Sequence, residues 1–213
     1  MSNEIVLSII IPTFNRAKLL SRAIKSVLKQ NISQFELLVI DDGSTDETKI
    51  IVTEYYKKDN RIKYFYHKNQ GHPKTLNKGL KLSKGNYITF LDSDDEYDEN
   101  HLSPRIKFMD ENREIDLIYS PAKIIGGNYF VPDARDKTKL IHLDDCIIGA
   151  TFFGKQKMFL SLNGFKNIYG QDYEFYNRAK KKFKIEKYLN RTYIYHRDLQ
   201  NQLTSIPEKN STK

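Results

Sequence analysis

Five short apolar runs, separated by four stretches of helical periodicity, fill residues 5 to 120. The first, IVLSIIIP (5–12), is apolar almost throughout and stops at Pro12, as a strand buried on both faces does. FELLVIDD (35–42), IKYFYHK (62–68), NYITFLD (86–92) and IDLIYS (115–120) read as the other strands. Between them, residues 17–29 carry Leu19, Leu20, Ala23, Ile24, Val27 and Leu28 on one helical stripe. Ser44 and Glu47 have capping-box spacing, predicting a helix to about Lys58. A third helix begins near Pro73 and stops at Gly85, and a fourth covers 99–112. Repeated strand–helix units predict an α/β fold, a mainly parallel central sheet flanked by helices on both faces.

Beyond Pro121 the pattern loosens. Residues 122–139 are turn-rich and charged, and 149–165 give a short strand, a helix from about Lys155 and a stop at Gly164. Residues 171–183 read as a helix with an acid at its start, and 185–197 are strand-like. The expectation is a single domain over 1–213 in two halves, 1–120 and 121–205, with a polar tail at 206–213. With 213 residues, the chain has room for one substantial core.

Lys and Arg number 35 against 27 Asp and Glu, a net charge of +8. That balance favours anionic partners: nucleic acid, acidic membranes or phosphorylated small molecules. The lysines are dispersed and no aromatic-basic repeat accompanies them, which argues against nucleic acid. The one cysteine, Cys146, excludes an internal disulfide or a cysteine-built zinc site and reads as inert. No window approaches the roughly 20 apolar residues of a membrane span. MSNEIVLSIIIP carries an early acid and does not read as a signal peptide. A cytoplasmic protein is expected, with lysines available for peripheral membrane contact.

In an open parallel sheet, ligands bind beyond the carboxyl ends of the strands. Here those ends carry PTFNR (12–16), DDGSTD (41–46), NQGHPKTLNKG (69–79) and DSDD (92–95). Asp92 and Asp94, two apart around Ser93, could aim two carboxylates at one point, where Mg²⁺ or Mn²⁺ would relieve their repulsion. The same acids also suit a helix cap. An acid of DDGSTD could accept from a base N–H or a ribose hydroxyl, although that segment also fits a strand–turn–helix. Gly71 permits close backbone approach, Lys74 offers positive charge to a diphosphate, and the helix start near Pro73 adds a favourable dipole.

Taken in order, SIIIPTFNR, FELLVIDDGSTDET, NQGHPKTLNKGL and GNYITFLDSDD resemble the GT-A nucleotide-sugar glycosyltransferases, in particular the inverting family 2. LNGFKNIYGQDYEFYNRA and YIYHRDLQNQLT look like later segments of that family, so the likeness runs over about residues 5–204. It implies that residues 1–120 bind the nucleotide sugar and 121–205 hold the acceptor and the catalytic group. Pro12, Thr13, Phe14, Arg16, Asp41 and Asp42 would surround the base, expected to be uracil. Gly71, Lys74 and Asn77 would lie along the donor. Asp92, Ser93 and Asp94 match the DXD motif: Asp94 would bind Mn²⁺ or Mg²⁺ directly, and Asp92 the ribose or a metal-bound water. Asp172 matches the catalytic base, and His196 a late His that reaches the metal or diphosphate.

Two departures stand out. Thr75 and Leu76 occupy the positions of an Ala-Arg pair, so a phosphate-facing Arg is missing and Lys74 is the candidate replacement. The acid pair before the last helix reads Gln171-Asp172, which keeps only the base. The implied activity is metal-dependent transfer of a sugar from a nucleoside-diphosphate sugar, UDP-linked by expectation, to a hydroxyl of a glycan or other acceptor. A nucleotidyltransferase would carry a Gly- and Arg-rich triphosphate loop near its N-terminus, and PTFNRAK lacks the glycines. A non-catalytic sugar-nucleotide-binding module is the other reading; it would bind donor without turnover. Asp95, Glu96 and Asp98 read as cap or surface acids, with Asp95 a candidate sugar contact. The chain is short for this fold, which is compatible with one module of a larger enzyme.

Overall fold

The computed structural model describes residues 5–197; the tail from 206 and the end of the late His segment lie outside that range. The first half runs β1 (Leu7–Thr13), α1 (Ala17–Leu28), β2 (Phe35–Asp41), α2 (Thr48–Tyr56), β3 (Ile62–Tyr66), α3 (His72–Leu82) and β4 (Tyr87–Phe90). There follow β5 (Glu96–Tyr97), α4 (Leu102–Glu111), β6 (Leu117–Tyr119), β7 (Lys123–Ile125), β8 (Phe130–Pro132) and β9 (Leu140–His142). The chain continues through β10 (Phe153–Lys155), α5 (Gln156–Ser161), α6 (Gln171–Ala179), β11 (Ile185–Lys187) and β12 (Tyr193–His196).

The central sheet has the order β11-β6-β10-β4-β1-β2-β3. Strands β1 to β4 pair in parallel, β10 runs antiparallel to both β4 and β6, and β11 is parallel to β6. All of β1 and β2 is buried, as apolar runs without polar alternation require. The period of two sorts their side chains between two layers. Leu7, Ile9, Ile11, Leu37 and Val39 pack with Leu20, Ile24 and Val27 of α1 and Val52 of α2. Ile10, Leu38 and Ile40 pack with Leu76 and Leu80 of α3, Phe159 of α5 and Phe175 of α6. Two polar residues enter these strands as a pair. Ser8 lies in register with Glu36, whose carboxylate accepts from Ser8 Oγ (2.7 Å), Lys84 N (2.6 Å) and Lys63 Nζ (2.6 Å).

The structure moves one helix start. Ser44 and Glu47 do not cap α2, which begins at Thr48. Asp46 does so instead, its Oδ1 accepting from Thr48 N (3.0 Å) and Oγ1 (2.6 Å). Ser44 is drawn to the loop after β1, where its Oγ accepts from Asn15 N at 2.9 Å. The turn-rich segment after Pro121 is more ordered than its composition suggests: β7 joins β12 and β5 in a small sheet, and β8 and β9 form a hairpin. Among the described residues no helix is long and apolar enough to cross a membrane.

Candidate active site

The carboxyl ends of β1, β2, β3 and β4 converge, and their loops are stapled to one another. Asn15 adopts a left-handed conformation (φ 51°), and its Oδ1 accepts from Thr45 N at 2.8 Å. Asp41 accepts from Ser44 N (2.8 Å) and from the Tyr64 hydroxyl (2.5 Å). Asp42 accepts from Gln70 N (2.7 Å) and Gly71 N (2.9 Å), so it anchors the start of α3. Gly71 has φ +93°, a conformation that favours glycine, and so turns the chain into that helix. Pro12 and Thr13 are buried while Phe14 is exposed. The Thr13 hydroxyl is buried with no hydrogen-bond partner among the described residues. An orphaned buried hydroxyl at a strand end is an unmet hydrogen-bonding capacity that a ligand can satisfy.

Beyond β4 the four residues 92–95 divide. Asp92 and Asp94 keep partly accessible carboxylates, with Arg16 Nε 3.8 Å from Asp94 Oδ2 and Arg22 Nη2 donating to the Asp94 carbonyl. Burial and the neighbouring Asp92 charge push the Asp94 carboxyl upward, against the pull of Arg16. Ser93 is buried. Asp95, read from sequence as a cap or surface acid, is fully buried. It accepts from the Tyr193 hydroxyl (2.7 Å) and His196 N (2.9 Å) and so ties β12 to the turn. Burial and the adjacent acids raise its pKa well above the usual range. Glu96 belongs to β5, while Asp98 donates from its N to Thr192 O and accepts at its carbonyl from His101 N, in the turn that enters α4.

From the second half, the first turn of α6 carries Asp172. Its Oδ2 accepts from Gly149 N at 3.0 Å, and a Cβ at Gly149 would fall 2.3 Å from Asp172 Oδ1, so the approach requires glycine. Burial raises the Asp172 pKa, with the Gly149 N–H and His72 opposing. His72, which sequence reasoning places in the donor-side loop without a site role, lies between the Asp92 turn and the start of α6. Its Nε2 is 3.5 Å from Asp92 Oδ1 and its Nδ1 is 2.7 Å from Gln171 Nε2. Burial works to lower its pKa, but Asp92 and Asp172 outweigh that and raise it. A sequence signal for it existed: it opens a helix at the carboxyl edge of the sheet, immediately before Pro73.

Three expected donor or metal residues are placed elsewhere. Asn77 is engaged with the Phe165 backbone, donating from Nδ2 to its carbonyl (2.7 Å) and accepting from its N–H (2.8 Å). Lys74 is exposed in a groove with Gln70, Asn77, Lys78 and Lys81. His196 Nε2 lies 2.9 Å from Glu96 Oε1 instead of joining Asp92 and Asp94, and no three acid, His or Cys side chains converge on a metal position among the described residues. Two carboxylates, one lifted by burial and like charge, still suit Mg²⁺ or Mn²⁺, which typically takes one or two carboxylates and completes its shell with phosphate oxygens and water.

Sheet order and cleft together define a GT-A protein. The glycosyl transferase family 2 model matches residues 8–161. An uncharacterised glycosyltransferase of Rickettsia conorii is 48% identical over 113 residues, 53% of this chain and 18% of that protein. The UDP-Glc:alpha-D-GlcNAc-diphosphoundecaprenol beta-1,3-glucosyltransferase WfgD of Escherichia coli is 34% identical over 175 residues, covering 80% of this chain and 68% of WfgD. Staphylococcus aureus TarS 1–349 in complex with UDP-GlcNAc superposes with a TM-score of 0.71 at 25% identity, over 90% of this chain and 58% of that one. The chain belongs to glycosyl transferase family 2. It spans only a fifth or less of the length of the first relatives it matches.

Proposed function

We propose that this chain transfers a sugar from a UDP-sugar to a hydroxyl of a glycan acceptor, lipid-linked in the form WfgD's name describes, with inversion at the anomeric carbon. One observation carries it: the two halves meet at His72, whose Nε2 is 3.5 Å from Asp92 Oδ1 beyond β4 and whose Nδ1 is 2.7 Å from Gln171, the residue before Asp172 on α6. Thr13 offers its unpaired hydroxyl to the base, and Asp41 and Arg16 flank it. Asp42 acts at one remove, by holding the loop that leads into α3. Asp94 and Asp92 would hold Mn²⁺ or Mg²⁺, which supplies Lewis-acid stabilisation of the departing diphosphate. Asp172 takes the proton of the acceptor hydroxyl, and its raised pKa makes it a stronger base than an ordinary carboxylate. Gly149 fixes the oxygen that does not face the acceptor. A lipid-linked acceptor would bring the chain to a membrane surface, in keeping with its net charge of +8.

The test is a panel of UDP- and TDP-sugars assayed for donor hydrolysis with Mn²⁺. Turnover of a UDP-sugar, lost on adding chelator, is expected. Turnover indifferent to chelator contradicts the metal role. UDP binding without turnover of any sugar favours the non-catalytic binding module.

A further inference from the structure

We propose that His72 is a positioning residue of the transfer site, part of a line of polar contacts that sets the separation between the Asp92 turn and the start of α6 that carries Asp172. The line runs through Asp92, His72 and Gln171. Asp92 Oδ1 lies 3.5 Å from His72 Nε2, and His72 Nδ1 lies 2.7 Å from Gln171 Nε2. Gln171 immediately precedes Asp172 in the first turn of α6. A single neutral tautomer satisfies both ring contacts. The Gln171 amide donates to Nδ1, and Nε2–H points to the Asp92 carboxylate.

The members come from three separate elements: the end of β4, the first residue of α3 and the first turn of α6. α6 follows a left-handed Gly170 with no side-chain cap hydrogen bond at its start. The Asp172 side chain is held by the Gly149 N–H, and the Gln171–His72 contact fixes the helix start beside it. The neighbouring cations are differently placed: Arg16 and Arg22 contact Asp94, and Lys74 is exposed in a groove with Gln70 and Lys78. A Gln at 171, where the related motif carries an acid, suits this role. Its amide donates to the ring without adding a further negative charge between Asp92 and Asp172.

The rate readout rests on the proposed transfer reaction, so a second readout addresses the line directly. With Mn²⁺ and the UDP-sugar that the wild-type chain hydrolyses, His72→Ala and Gln171→Ala each lower kcat by about 10- to 100-fold, as roughly 1 Å displacements of reacting groups do. UDP affinity stays within about threefold, and the double variant is no worse than the poorer single, as expected of two members of one line. His72→Gln, which can donate to Asp92 and accept from Gln171, recovers most of the loss. Additive losses, a kcat within about twofold of wild type for either alanine variant, or parallel falls in Tm and UDP affinity from a merely structural role overturn the proposal.

Long-range ¹H–¹⁵N spectra at alkaline pH supply the second readout. His72 should be protonated at Nε2, and Gln171→Leu should shift its Nδ1 resonance. The opposite tautomer, or no shift, overturns the proposal whatever the rates. A wild-type chain that hydrolyses no sugar nucleotide refutes the parent function, and the spectra then decide the line alone.

Discussion

Asp172 is held where burial works against its own charge, and two measurable consequences follow. A base must be ionised to act. Its raised pKa therefore places the acid limb of the kcat–pH profile above the ordinary carboxylate range, with rate rising as pH rises through it. For stability the sign is opposite. The folded state holds this proton more tightly than the unfolded state, so stability falls as pH rises from the unfolded value through the folded one. Asp172→Asn can still accept from Gly149 N and removes that penalty. At pH 7 it should melt above wild type while transfer falls by about 10²- to 10⁴-fold. A melting temperature below wild type would show that the ionised carboxylate stabilises the fold. At this scale the sequence was only partly legible. Asp92 and Asp94 could be singled out because crowded acids at a strand end are costly without a purpose, whereas Asp172 by itself reads as a helix cap and was marked only by the family resemblance. Asp95 looked equivalent to its neighbours, because nothing in the local sequence reveals that Tyr193, nearly a hundred positions away, comes back to cover it.

At the scale of elements, the approach of α6 to the loop before β10 depends on residue 149. Gly149→Ala places a methyl group against Asp172 Oδ1 and must displace either the helix or the carboxylate. The expected loss is about 10²-fold in kcat with UDP affinity retained, checked by steady-state kinetics beside calorimetric titration. The small sheet has an anchor of a different kind. Arg105 of α4 is wholly buried and donates to His101 O (2.7 Å), Thr192 Oγ1 (2.8 Å), Ser120 Oγ (3.1 Å) and Asn190 O (3.2 Å). It pins the segment before β12 to α4. Burial brings its pKa down to about 10, and burial with the Arg105 charge keeps His101 neutral. Arg105→Ala strands these acceptors and should remove about 3 kcal/mol. At about 2–4 °C per kcal/mol, that is a fall of roughly 6–12 °C in Tm by calorimetry. The helix stripes and buried strands were readable because each element's own period records which face it buries. The three-residue strands β7, β8 and β9 were not, because they are too short for a period and are held by partners distant in the chain.

For the whole molecule, the sheet explains why the Asp92 turn and the start of α6 meet. Parallel β1 to β4 gather four polar loops at one edge, and antiparallel β10 lets the chain return beside β4 and deliver α6 to that edge. The alternation of strands and helices made the first half predictable. The second half was harder because its strands are inserted on the far side of β4, out of chain order. The His72 line crosses the boundary between those halves, which no local pattern could disclose.

The central claim is that Asp172 activates the acceptor opposite a diphosphate held on the Asp92–Asp94 side. Time-resolved proton NMR of an α-linked UDP-sugar with Mg²⁺ and the wild-type chain tests it most directly. The account predicts that the β-anomer of the free sugar appears first, ahead of mutarotation, and that Asp172→Asn gives almost none. First appearance of the α-anomer, or normal release by Asp172→Asn, would contradict it.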